Sequence, residues 1–326
     1  MHDLVFYCAE ENALSEEKKV VKEGVDRRHH PRPASLLVQT RRLLRYFGLR
    51  ARKGLGQHFL IDEEVLQCII SAAELTSSDV VMEIGPGLGV LTKELAKKAG
   101  WVIAVELDGR LAALLKQTMA SFSNVAVINA DILQTDPAAL LGEQKERFPS
   151  TITAPFNYKV VANLPYYITA HVLRHFLEAR VKPQSMVIMV QKEVAQAIVA
   201  EPGQMSVLSI SVQFYGKPRI ISHVLAQCFY PAPEVDSAIL RIDLYPQPAL
   251  GVSDNDGFFG VVRAGFSGAR KQMGNSLALG LGVPKAEALS LLERAGIAPQ
   301  RRAETLALEE WARLWREFAR AKEAAC

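Results

Sequence analysis

Cysteine is scarce: Cys8, Cys68, Cys228 and Cys326 are the only four in 326 residues, widely spaced and with no Cys-x-x-Cys pair. A structural zinc site needs clustered ligands and a disulfide scaffold needs a dense framework, so neither is expected and no metal is called for. Long apolar runs are missing as well, which excludes a membrane-spanning helix. The first 26 residues are charged throughout and hold no continuous apolar segment, so no secretory signal is expected,. Their acidity argues against a mitochondrial presequence. Internal repeats and low-complexity tracts are also lacking. These absences leave the expectation of a cytoplasmic globular protein with reduced thiols.

The net charge of +3 is small but unevenly spread. Residues 1–26 hold seven acids against three lysines, a net of −4, so the remaining chain carries +7. Residues 36–53 contain Arg41, Arg42, Arg45, Arg50, Arg52 and Lys53 and no acid. Such a block suits a phosphate backbone. It also suits an amphipathic helix whose buried stripe is Leu36, Leu37, Leu43, Leu44 and Phe47, and one helix can do both.

Residues 1–33 read as a polar extension without stable structure, ending in Arg27-Arg28-His29-His30-Pro31-Arg32-Pro33,. From residue 80 to about 243, β-rich runs alternate with helical ones. Strands are predicted at 80–84, 101–106, 125–129, 159–162, 185–190, 219–224 and 238–244, with helices at 88–99 and 108–119 among them,. That alternation means an α/β fold with a parallel-dominated sheet covered on both faces. After Pro246 and Pro248 only helical periodicity remains, predicting helices at 256–281, 284–295 and 305–324,. The domain reading is 34–246 for the α/β body and 247–326 for a small α-helical domain.

The run Glu83-Ile84-Gly85-Pro86-Gly87-Leu88-Gly89 lies between a strand and a helix. Glycines there let the backbone turn tightly and approach a ligand. The third glycine comes one residue too early for the dinucleotide fingerprint. That spacing disfavours NAD and favours the Gly-x-Gly-x-Gly of S-adenosylmethionine enzymes, with Gly85 and Gly87 at the cofactor. About twenty residues on, Glu106 ends the second strand, where a carboxylate can accept both ribose hydroxyls. Asp131, past the third strand, can accept from an adenine amine while Ile132 packs on the ring. Asp131 can equally be a helix N-cap.

Asn163-Leu164-Pro165-Tyr166 follows the fourth strand and points to the substrate. The N6 amine of adenine is a poor nucleophile because its lone pair is delocalised into the ring. Two acceptors aimed at its hydrogens, the Asn163 side-chain oxygen and the Leu164 carbonyl, would draw the nitrogen towards sp3 geometry. Pro165 would keep the carbonyl aimed, and Tyr166 would stack on the base. The same four residues could also form an ordinary turn. Phe229 is a candidate for the other wall of the base pocket, with core packing as its alternative.

Together these blocks resemble the ribosomal RNA adenine N6,N6-dimethyltransferase family, over residues 36–318. Lys53-Gly54-Leu55-Gly56-Gln57-His58-Phe59-Leu60 is similar to that family's N-terminal cofactor motif, which implies roles for His58 and Leu60 at the methionine end. The resemblance also implies cofactor contacts at Gly85, Glu106, Asp131 and Asn163. Gln191-Lys192-Glu193-Val194-Ala195 and residues 229–237 are further family blocks. The fold implied is a Rossmann-like class I methyltransferase sheet. The segments 263–271 and 275–277 resemble the C-terminal block of the family's small-subunit (16S) branch, the one associated with kasugamycin sensitivity. This implies phosphate contacts at Arg263, Arg270 and Lys271. It further implies dimethylation of two adjacent adenosines in the 3′-terminal hairpin of 16S rRNA, in immature small subunits, by a monomer.

Two other readings stand beside it. One is the related large-subunit (23S) resistance enzyme. The other is a non-catalytic nucleic-acid-binding factor on the same fold, against which the intact Asn163–Tyr166 run counts. The acidic extension departs from the family pattern and touches no catalytic motif.

Overall fold

A computed structural model describes residues 34–52, 54, 56–152, 157–252, 254–268 and 270–325; the expected extension at 1–33 lies outside the described residues. The described chain opens with helix α1 (Leu36–Tyr46), the two-residue strand β1 (Phe59–Leu60) and helix α2 (Glu63–Ala73). Strand–helix alternation follows as β2 (Val80–Ile84), α3 (Val90–Ala96), β3 (Trp101–Glu106), α4 (Gly109–Thr118), β4 (Val125–Asn129), α5 (Pro137–Gln144), β5 (Tyr158–Asn163), α6 (Thr169–Leu177) and β6 (Ser185–Gln191). Then come α7 (Lys192–Ile198), α8 (Val207–Tyr215), β7 (Gly216–Val224), the short β8 (Phe229–Tyr230) and β9 (Ser237–Leu244). Helices α9 (Asn255–Gly265), α10 (Met273–Leu281), α11 (Lys285–Arg294) and α12 (Leu308–Ala325) complete it.

Seven strands pair in the order β4-β3-β2-β5-β6-β9-β7, parallel from β4 to β6 and antiparallel at β9 and β7. β2 and β3 read Val-Val-Met-Glu-Ile and Trp-Val-Ile-Ala-Val-Glu, and every residue of both is buried. Strands buried on both faces belong in the middle of a parallel sheet, and both lie there. Their side chains alternate between two apolar layers. Val80, Met82 and Ile84 join Phe176 and Phe214 on one side, while Val81 joins Ile69, Leu91 and Leu95 on the other. The expected sheet with helices on both faces is what forms.

The C-terminal region corrects one expectation. The helix predicted over 256–281 is two helices, α9 and α10, separated by residues 266–272. Ser267 and Ser276 hold that break: the Ser267 hydroxyl donates to the Ser276 carbonyl at 2.9 Å, and the Ser276 hydroxyl donates to the Gly268 carbonyl at 3.1 Å. Hydroxyl-to-backbone bonds of this kind compete with helix continuation. The helices do not stand apart from the sheet. Phe214 of α8 stacks on Phe258 of α9, with centroids 4.8 Å apart, and meets Phe259 edge-on. One apolar cluster runs from Val80 through this contact to Trp311.

Candidate active site

The loop after β2 begins the site. Gly85 and Gly87 have φ of +66° and +57°, backbone that side-chain-bearing residues seldom adopt,. A Cβ at Gly87 would stand 3.2 Å from the Phe59 ring, so the loop is pressed against β1. Strand β1 itself is held by β8, with Phe59 opposite Tyr230 and Leu60 opposite Phe229. This ribbon carries His58 to the cavity, where its Nδ1–H donates to the Pro231 carbonyl at 2.7 Å. Two segments 173 residues apart in sequence thereby meet at one point.

Glu106 closes β3, at 6% exposure. Its Oε2 accepts the Gly87 N–H at 3.0 Å and its Oε1 accepts the Asp108 N–H at 2.9 Å. The carboxylate thus fixes the glycine loop to β3, and each oxygen keeps a lone pair for a ligand hydroxyl. Burial raises its pKa above the usual carboxylate range, partly offset by those backbone N–H groups. Asp131 takes the N-cap role and also faces the cavity. Its Oδ1 caps the short turn at Ile132–Gln134 by accepting the Leu133 N–H at 3.0 Å, and the residue also lines the cavity.

Asn163 ends β5. Its Nδ2 donates to the His58 carbonyl at 3.1 Å, which commits the amide's donor end and leaves Oδ1 as the acceptor,. Tyr166 stacks near-parallel to His58, with centroids 6.0 Å apart, and its hydroxyl pairs with Ser237 Oγ at 2.7 Å. Tyr167, 55% exposed, stands beside Gly56 at the same opening.

His58, Leu60, Gly85, Gly87, Glu106, Asp131, Ile132 and Asn163–Tyr166 all line one cavity of about 300 Å³. Phe229 does not. It is 3% exposed and packs in the apolar cluster of Leu60, Val224 and Ile239. Of the two roles expected of Phe229, core packing is the one this arrangement displays. Arg263, Arg270 and Lys271 lie away from the cavity lining: Arg263 is exposed on α9, and Arg270 and Lys271 are exposed in the break before α10. Reasoning from sequence missed Ser237, Tyr167 and Glu83. The signal for Glu83 was present, as a lone charge in an otherwise apolar strand.

The charge of the cavity discriminates between cofactors. Glu83, Glu106 and Asp131 line it, and among the described residues no lysine or arginine does. A pyrophosphate would find no side-chain cation to pair with there and would lie beside acidic side chains. S-adenosylmethionine, with its sulfonium and α-ammonium, fits this donor set, and the unpartnered Glu83 carboxylate is the kind of buried group such a cation satisfies,. Fold and cavity together define a class I methyltransferase. The chain belongs to the ribosomal RNA adenine dimethylase family, whose profile matches residues 48–320. It is 53% identical over 279 residues to "Ribosomal RNA small subunit methyltransferase A" of Dehalococcoides mccartyi, covering 85% of this chain and 91% of that one. The protein of the same name from Moorella thermoacetica is 44% identical over 284 residues, covering 85% and 96%. Among solved structures, a dimethyladenosine transferase from Plasmodium falciparum superposes with a TM-score of 0.68 at 26% identity, covering 81% and 98%. The 23S rRNA methyltransferase ErmE superposes at 0.63 with 28% identity, covering 80% and 99%.

Proposed function

We propose that this enzyme, using S-adenosylmethionine, dimethylates the N6 amines of two adjacent adenosines in the 3′-terminal hairpin of 16S rRNA, acting as a monomer on immature small subunits. The small-subunit substrate is favoured over the large-subunit one because the relatives at 44–53% identity carry the small-subunit name. When bound, S-adenosylmethionine supplies an electrophilic methyl group. The protein's own residues bring the amine to it and make the nitrogen nucleophilic.

The observation that carries the reading is the Asn163 amide. With Nδ2 tied to the His58 carbonyl, Oδ1 stays an acceptor and cannot flip to present N–H to the base. The adjacent Leu164 carbonyl, behind Pro165, is the second acceptor. Two acceptors take the two amine hydrogens and favour a pyramidal nitrogen with a directed lone pair. After the first methylation one hydrogen remains, and one acceptor still orients it. Tyr166, fixed by Ser237 and stacked on His58, offers an aromatic face at the same opening,. No strong base is required, because the methylated amine is cationic and loses its proton readily. The catalytic contribution is positioning and preorganised electrostatics. On the outer surface, Arg263, Arg270 and Lys271 are proposed to hold RNA phosphates.

The test uses tritiated S-adenosylmethionine with immature small and large subunits in parallel, followed by nucleoside analysis. Dimethyladenosine in the small subunit supports the proposal. Label confined to the large subunit would favour the resistance-type enzyme, and label in neither would favour a binding factor.

A further inference from the structure

Helix α1 carries a charge pattern that the chemistry at the cavity does not use. Its inner stripe is Leu36, Thr40 and Leu44, all buried, with Leu43 and Phe47 half-buried beside them. A repeat of 3.6 residues places Arg41, Arg42, Arg45 and Tyr46 on the outer arc, and every one is exposed,. Residues 34–52 contain no acid. Arg41 and Arg45 are four apart and Arg42 and Arg45 three apart, so like charges crowd one face and weaken the helix taken alone. Among the described residues no carboxylate stands at ion-pair distance from these three arginines, whereas Arg174, Arg219, Arg241, Arg294 and Arg301 each have one. Further along the same basic segment, Arg52 is committed to Asp108 at 3.3 Å. The Arg41 guanidinium lies over the Tyr230 ring, 5.0 Å from its centroid, and Tyr46 is 81% exposed at the edge of the arc. A helix face of this composition is complementary to an anion.

The fold sets this arc beside the cavity and apart from Arg263, Arg270 and Lys271. Leu36 joins the apolar layer of Ile69, Val81 and Leu91, and Leu44 packs with Phe59, Leu88 and Leu111, three residues that also line the cavity. Helix α9, which carries Arg263, joins the opposite layer through Phe258 and its stack on Phe214. The two basic surfaces therefore belong to opposite sides of the sheet, with the cavity at the strand ends between them. We propose that the outer face of α1, through Arg42 and Arg45 with Arg41 and Tyr46 beside them, docks the phosphate backbone of the substrate RNA as a surface separate from the C-terminal one. The inference rests on the ribosomal RNA substrate argued above. Arginine suits the role, because its planar fork donates two N–H groups to one phosphate and is weakly hydrated. An RNA gripped on both sides is held across the cavity mouth. Since α1 presents none of its arginines to the cavity, the face contributes to RNA affinity and not to the chemical step.

Arg42→Gln/Arg45→Gln removes two charges and keeps good helix formers at both positions. Binding to immature small subunits is measured over a series of potassium concentrations at fixed magnesium, for this variant and the wild type. The slope of log affinity against log salt should flatten by about 1.4–1.8, the loss of two phosphate contacts. In steady-state methylation the KM for subunits should rise while kcat stays close to wild type, and S-adenosylhomocysteine affinity should not change. Arg42→Lys/Arg45→Lys keeps both charges and should retain most of the slope. Lys97→Gln/Lys98→Gln removes two exposed charges just before β3, at the end of the sheet away from the cavity, and should leave the slope as it is. Adding Arg270→Ala/Lys271→Ala to the α1 variant should sum the two losses, because the surfaces are separate. A wild-type slope in the folded Arg42→Gln/Arg45→Gln protein would overturn the assignment. So would an equal loss in the Lys97/Lys98 variant, which would make the effect one of net charge alone. Arg42→Gln by itself, expected at half the loss, decides if the double variant fails to fold. If the wild-type protein neither binds nor methylates small subunits, the substrate reading itself is wrong, and the assignment falls with it.

Discussion

Replacing Glu106 by Ala probes the cofactor cavity through two separable effects. In the folded protein the carboxylate accepts the Gly87 and Asp108 N–H groups at 3.0 and 2.9 Å, and it is buried at 6% exposure. Losing it leaves two backbone donors without that partner, each worth about 1 kcal/mol where water can reach them. Against this, removal ends the desolvation that raises its pKa. The two terms oppose, so thermal stability should change little. Ligand affinity should not be spared. A ribose hydroxyl bonded to a charged group contributes about 1.5–3 kcal/mol, which is roughly tenfold to somewhat over a hundredfold in Kd. Glu106→Gln should fall between, because one amide oxygen can accept from either Gly87 or Asp108 while its NH2 faces the other donor. Titration calorimetry with S-adenosylhomocysteine, paired with thermal unfolding, measures both effects. A folded Glu106→Ala protein that binds with wild-type affinity would refute the ribose assignment.

Replacing Arg270 and Lys271 together by Ala should flatten the salt dependence of RNA affinity by about 0.7–0.9 unit per lost phosphate contact, with S-adenosylhomocysteine affinity unchanged; a wild-type slope would leave that segment a structural turn only. Phe214→Ala removes the ring that joins α8 to α9 and should cost about 3–5 kcal/mol in denaturant unfolding, in a single transition,; two separated transitions would show that the C-terminal helices fold independently of the sheet.

The seven strands were legible because the central ones carry continuous Val/Ile-rich runs that only a doubly covered sheet accommodates, and their observed bounds lie within three residues of those expected. The break between α9 and α10 was not. Its cause is a pair of serine-to-carbonyl bonds across Ser267 and Ser276, which hydrophobic periodicity does not register. The β1–β8 ribbon was equally hidden, since two-residue strands so far apart leave no local pattern. Phe229, opposite Leu60 in that ribbon, packs with it in the apolar cluster of Val224 and Ile239. Most of the cavity was visible as motifs at strand ends, where an α/β sheet binds its ligands. Glu83 was passed over because it sits inside the strand rather than after it. Its meaning depends on having no partner, which only the three-dimensional arrangement reveals.

The central claim is that an acceptor held by Asn163 prepares the adenine amine. It is tested most directly by single-turnover methylation of immature small subunits with Asn163→Ala, at saturating S-adenosylmethionine, with mass spectrometry of mono- and dimethyladenosine. Loss of one preorganised polar group predicts a rate lower by about a hundredfold to a thousandfold. RNA affinity should persist, because it comes from many distributed phosphate contacts. Dimethyladenosine formed by Asn163→Ala at the wild-type rate would contradict the account.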